Sequence, residues 1–102
     1  MSEAVLLILL SLADEPRHGY SIMQDVEEVS EGRVRFSTGT LYGALRRLLE
    51  AGWIERLEEA HAPRDRVAYR LTRAGRQHLK AEADRMKQLA RVASLRLSPR
   101  ET

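Results

Sequence analysis

Apolar and polar positions follow one another along this chain with three different periods, and each period predicts an element. Residues 4–13 are apolar nearly all round, which predicts a helix buried on several sides. Ser2 can cap its start, and Asp14-Glu15-Pro16 ends it, because proline disfavours helical geometry in the residue before it. Over residues 18–30, Ile22, Met23, Val26 and Val29 recur at helical spacing, with Gln24, Asp25, Glu27 and Glu28 on the other side. This second helix is acidic outside and apolar inside, and Gly32 fits the left-handed position that closes a helix. A third helix is capped by Ser37 or Thr38, turns Leu41, Leu45, Leu48 and Leu49 to the core, and stops at Gly52.

The period then falls to two. A strand is predicted over residues 53–59, with a partner over 66–71, where Val67, Tyr69 and Leu71 alternate with Arg66, Ala68 and Arg70. Residues 60–65, with Pro63, connect them. Thr72 caps a last helix over about 73–97, in which Leu79, Ala83, Met86, Ala90, Ala93 and Leu97 are spaced 4, 3, 4, 3 and 4 apart. That is a heptad seam, and Leu89, Val92 and Leu95 form a second apolar stripe beside it. A small domain cannot easily cover both stripes. The pattern therefore predicts a homodimer whose interface draws on Val5, Leu6 and Leu9 of the first helix and on Leu79, Ala83, Met86, Leu89, Ala90, Ala93 and Leu97 of the last. An intramolecular core stripe is the alternative. Helix, helix, helix, then a β-hairpin is the order of a winged helix-turn-helix. The predicted fold is mainly α with a small β-hairpin (α+β). It comprises a winged helix-turn-helix DNA-binding domain over residues 1–72 and a C-terminal dimerisation helix and tail over 73–102, together one compact unit.

Composition narrows the picture. With 102 residues, 43% of them apolar, the chain has material for one domain with a modest core. It has no cysteine, which excludes disulfides and thiolate metal sites. The net charge of +2 says little, but its distribution says more: residues 1–32 hold one basic and seven acidic side chains, residues 33–102 hold 16 and eight. Such asymmetry predicts a basic face. Fifteen of the 17 basic residues are arginine, the residue suited to bidentate phosphate and guanine contacts, although a coding bias explains that ratio equally well. The apolar run at residues 4–10 is far shorter than the roughly 20 residues a membrane span needs, and no basic segment precedes it. A cytoplasmic location without membrane association is expected.

The outward positions of the third helix carry the candidate chemistry. Ser37, Thr38, Gly39 and Thr40 offer hydroxyls and free backbone N–H groups where the helix dipole favours an anion. Glycine inside a helix costs up to about 1 kcal/mol against alanine, so Gly43 is unexpected unless space is needed there. Tyr42 can hydrogen-bond a phosphate, and Arg46 and Arg47 can reach guanine edges or phosphates. In the wing, His61, Arg64 and Arg66 lie at or beside the tip, where they can enter a minor groove. His18 and Tyr20 are placed to touch phosphate from the second helix, with a core position the alternative for Tyr20. These features predict double-stranded DNA as partner. A winged-helix protein-interaction module that binds no DNA is the other reading. His18, His61 and His78 lack metal-ligand spacing, and no nucleophile elbow or phosphate loop occurs, so neither metal, cofactor nor enzyme activity is expected.

Four stretches resemble the PadR family of transcriptional regulators over about Leu6 to Leu79. His18-Gly19-Tyr20-Ser21-Ile22 is similar to its HGY-x-I, and Gly39-Thr40-Leu41-Tyr42-Gly43-Ala44-Leu45 to its G-T-L-Y-x-A-L on the recognition helix. Gly52-Trp53-Ile54 resembles its G-L-I, and Tyr69-Arg70-Leu71-Thr72-Arg73-Ala74-Gly75 its Y-x-L-T-x-x-G. The resemblance implies a winged helix with one dimerising C-terminal helix that packs against the partner's first helix. It also implies a repressor that binds a palindromic operator and releases it when a small-molecule effector binds. Departures are Gly43, where the family often has proline, a short wing loop of mixed charge, and the only tryptophan, Trp53, at a strand start. Met86, Leu89 and the seam alanines either line a small apolar cavity or fill the seam.

Overall fold

A computed structural model of the chain describes residues 1–57 and 66–99. Helix α1 spans Glu3–Ser11, strand β1 Arg17–His18, and helices α2 and α3 Gly19–Val29 and Thr38–Ala51. Strands β2 and β3 span Ile54–Leu57 and Ala68–Leu71, and helix α4 Arg73–Leu97. The three strands form one antiparallel sheet in the order β1-β3-β2. The predicted hairpin is present as β2 and β3, and β1 adds a third strand to it. Arg17 pairs with Tyr69 and His18 with Ala68, ahead of α2. Strand β3 begins at Ala68, two residues later than the alternation suggests. Its inward set is as expected, with Tyr69 and Leu71 buried and Val67 half-buried.

The predicted apolar stripes meet in one core. Leu7, Ile8, Leu9 and Leu12 from α1 join Ile22 and Val26 from α2, Leu41, Ala44, Leu45 and Leu48 from α3, and Ile54, Tyr69 and Leu71 from the sheet. Leu79 closes the core from α4. Two residues expected at a dimer interface are therefore committed within the chain: Leu9 is 0% and Leu79 8% exposed, leaving little surface for a partner. Helix α4 buries Gly75 and Leu79; beyond them it runs on exposed, with Met86, Leu89, Leu95 and Leu97 all large and uncovered.

The helix-turn-helix corner is pinned by Ser30, buried at the end of α2. Its backbone N–H donates to Val26 O, and its hydroxyl accepts from Val34 N at 3.0 Å. The chain reverses there through two consecutive left-handed residues, Glu31 (φ 54°) and Gly32 (φ 81°).

Arg17 ties the first three elements together. Its Nε donates to Ser11 O at 2.6 Å, its guanidinium lies 3.7 Å from Asp14, 3.3 Å from Glu15 and 3.7 Å from Asp25, and its side chain is 21% exposed. This is the lone basic residue of the acidic first third, and it consumes three of that segment's carboxylates. Arg17→Met is expected to keep the apolar stem but leave Ser11 O and the carboxylates without their donor. A loss of about 1.5–3 kcal/mol, the range for a hydrogen bond to a charged group, should be seen in urea unfolding.

A second junction joins α4 to the end of α3. Thr72 N donates to Trp53 O at 3.0 Å, Thr72 Oγ1 donates to Gly52 O at 2.6 Å, and Gly75 N donates back to Thr72 Oγ1 at 3.1 Å. The Trp53 ring stacks on His78 with centroids 4.2 Å apart. The backbones come so close that a Cβ on Gly75 would lie 1.9 Å from Trp53 O. Arg76 Nη1 adds a hydrogen bond to Ala13 O at 3.1 Å, anchoring the same turn to the end of α1.

Candidate nucleic-acid interface

Helix α3 is held from behind and open in front. Leu41, Ala44, Leu45 and Leu48 are buried, while Ser37, Thr38, Gly39, Thr40, Arg46, Arg47 and Glu50 are exposed. Ser37 is the cap: its Oγ accepts from Thr40 N at 3.2 Å and donates to Thr40 Oγ1 at 2.9 Å. One backbone N–H of the first turn is thereby satisfied, and the others face solvent at the positive end of the helix dipole. Gly52, left-handed at φ 78°, ends the helix as predicted.

Gly39, Gly43, Arg46 and Glu50 recur at i, i+4, i+7 and i+11, and so share one line on the side opposite the leucines. A Cβ on Gly39 or Gly43 would meet nothing within 4 Å. Neither glycine has a positive φ, so neither is required by backbone geometry. Their bareness serves no contact among the described residues.

Tyr42 is half-buried and leans onto the start of α2. A Cβ on Gly19 would lie 2.6 Å from its hydroxyl oxygen, so glycine at the first residue of α2 admits the ring. Nothing in the sequence pattern marked Gly19 for this role, because the contact is tertiary. His18, the residue preceding α2, is exposed and makes no side-chain capping bond, which leaves the N-terminal N–H groups of α2 uncapped by it. Tyr20 is 68% exposed, which corrects the core alternative for it. The first turn of α2 and the second turn of α3 are thus joined through the Tyr42–Gly19 contact, with His18 and Tyr20 on either side of Gly19 in sequence.

The arginines divide into two groups. Arg33 pairs with Glu3 at 2.7 Å, Arg35 with Glu27 at 3.3 Å, and Arg70 with its cross-strand neighbour Glu55 at 2.6 Å. These hold turns and strands together. Arg46, Arg47 and Arg66 have no acidic partner among the described residues and are exposed, as are Arg73, Arg76, Arg91 and Arg96 of α4. Elsewhere on α4, the Arg85 guanidinium hydrogen-bonds Glu82 and holds its carboxyl below the usual carboxylate range. The wing-tip candidates His61 and Arg64 lie outside the described residues. No group of three or more His, Asp or Glu among the described residues could hold a metal, and no described helix is long and apolar enough to cross a membrane.

Four helices, a small antiparallel sheet and a capped, arginine-bearing third helix define a winged helix-turn-helix of the regulator type. Residues 8–81 match the Transcriptional regulator PadR-like family, and the chain belongs to that family. It is 42% identical over 89 residues, 87% of its length, to an uncharacterized 37.1 kDa protein in transposon TN4556 of Streptomyces fradiae. The chain spans about a quarter (24%) of that relative. Among solved structures, a PadR family transcription regulator from Clostridium difficile R20291 superposes with TM-score 0.74 at 25% identity, covering 95% of this chain and 100% of that one. PadR of Bacillus subtilis, in complex with operator DNA, superposes with TM-score 0.68 at 22% identity over 80% of this chain and 47% of that one. Transcriptional regulation is thus the function of the family to which this fold and this sequence belong.

Proposed function

We propose that the chain binds DNA sequence-specifically through α3, as a homodimer on a near-palindromic operator, and represses the promoter that the operator overlaps. The observation that carries this reading is the outer line of α3. Gly39 and Gly43 leave open space that none of the described residues uses, beside two arginines without an acidic partner among the described residues. A helix that gives up helix propensity for bare backbone on its solvent side is adapted to a close approach by something else. Hydroxyls, uncapped N–H groups and arginines suit a phosphate-lined groove. That the Bacillus subtilis neighbour was solved in complex with operator DNA supports DNA as the partner.

Ser37, Thr38, Thr40 and Tyr42 then hold phosphates, as do His18 and Tyr20 from α2. Arg46, Arg47 and Arg66 supply base and backbone contacts, and His61 and Arg64 belong to the same reading at the wing. Pairing rests on the exposed part of α4. Val5 and Leu6 on α1, half-buried, and Ala83, Met86, Leu89, Ala90, Ala93 and Leu97 on α4 still offer area to a second copy. A two-fold axis between copies would set the recognition helices about 34–36 Å apart, or a multiple, and so impose the near-palindrome. Release by a small molecule rests on family membership alone, and the cytoplasm is where such a regulator meets its DNA.

Fluorescence anisotropy on duplexes tiling the DNA upstream of the chain's own gene, against scrambled duplex and over a range of salt, tests the reading. The expected result is sequence-dependent binding at two chains per site, with a linear log–log salt dependence. Arg46→Ala should weaken operator binding by about 1–3 kcal/mol, the range for one base contact. Equal binding to scrambled DNA, or none, would replace this reading with that of a protein-interaction module.

A further inference from the structure

Glu50 is the unexpected member of the outer line of α3. It shares that line with Gly39, Gly43 and Arg46, it is exposed, and it forms no ion pair or hydrogen bond among the described residues. It also stands one residue before the end of the helix, where no basic residue occupies the last turn. An acid there opposes the helix dipole, which favours cations at that end. Arg46 and Arg47, four and three residues earlier, are in helical reach of it and yet remain unpaired. Among the described residues the fold gains no hydrogen bond or ion pair from this carboxylate.

Resting on the reading of α3 as the helix that enters the groove, we propose that Glu50 is a specificity-determining residue that works largely by exclusion. A carboxylate carried toward a duplex meets phosphates and base-edge acceptors that repel it. The base-edge group that suits it best is an exocyclic amine in the major groove, above all cytosine N4. Discrimination gains as much from penalising wrong partners as from rewarding the right one. At about 1.5 Å of rise per residue, Glu50 lies about 6 Å along the helix from Arg46, roughly two base-pair steps. Arg46 and Glu50 would thus read positions about two base pairs apart with opposite preferences, an acceptor-rich guanine and a donor-bearing cytosine.

The test compares wild type, Glu50→Gln and Glu50→Ala on three sets of duplex: the operator located by tiling, scrambled DNA, and operators with each base pair changed in turn. Both variants should bind scrambled DNA more tightly than wild type, without a matching gain on the operator. The ratio of operator to scrambled affinity should then fall about tenfold, within the 1–3 kcal/mol of one discriminating contact. In the base-pair scan, Glu50→Ala should lose its preference at one C·G position per half-site, while the position lost by Arg46→Ala is unaffected. An unchanged ratio, with every affinity rising in parallel, would overturn the inference and reduce Glu50 to a non-selective surface charge. If wild type itself shows no preference among duplexes, the DNA-binding reading falls and this inference with it. Circular dichroism of both variants should match wild type, because the side chain is exposed and unpaired.

Discussion

Gly75→Ala is expected to lower the melting temperature by roughly 10–20 °C, the equivalent of about 3 kcal/mol in a domain of this size. The added methyl would lie 1.9 Å from Trp53 O, 2.8 Å from the Trp53 carbonyl carbon and 3.2 Å from its Cα. All three are backbone atoms, so no rotamer change relieves the clash. Relief requires α4 to lift away from the α3–β2 corner. That movement would break the Thr72–Trp53 and Thr72–Gly52 hydrogen bonds and slide His78 off the Trp53 ring. Thermal unfolding followed by circular dichroism measures the loss. Trp53 is the only tryptophan, so its fluorescence in the folded variant reports the displaced stack directly. A melting temperature within a few degrees of wild type would mean that the junction is looser than these distances state.

Gly39→Leu should do the reverse: preserve the fold and abolish recognition. Nothing lies within 4 Å of a Cβ there, and leucine is the better helix former, so stability should hold or rise by up to about 1 kcal/mol. The same side chain would stand between α3 and whatever approaches its first turn. A helix held off by the bulk of an isobutyl group loses the short contacts of Thr38, Thr40 and Arg46 together. Operator affinity should therefore fall about 100-fold, or about 2.8 kcal/mol. Anisotropy and thermal unfolding on the same preparation separate the two effects. Retained affinity would remove the glycine from the interface, and a lowered melting temperature would assign it a structural role.

These two glycines also mark what could be read from the sequence. The third helix was legible in full: Ser37 caps it, the leucine spacing orients it, and Gly52 ends it, all through interactions within a few residues. The long last helix was legible for the same reason, since Thr72 caps it and its heptad spacing runs unbroken. Strand β1 was not, because two residues have no period, and Arg17 and His18 are extended only through pairing with Tyr69 and Ala68. Gly75 was visible as part of a motif, but its reason is the carbonyl of a residue 22 positions earlier. Gly19 is alike in this: it is explained by Tyr42, a neighbour from another segment, which local pattern does not reveal. Leu9 and Leu79 fit an interface by spacing, yet the chain's own core takes them, because spacing defines a face without saying what covers it.

The strand order carries a further consequence. With β3 in the middle, both edges of the sheet are short among the described residues: β1 offers two residues and β2 four, the latter with Glu55 and Arg56 exposed. Long, flat, apolar edges are what recruit a strand from another molecule and seed aggregation. Over the described residues the edges are too short and too charged to serve as such a template, which favours helix faces, where side chains rather than open backbone choose the partner, for any pairing of two copies.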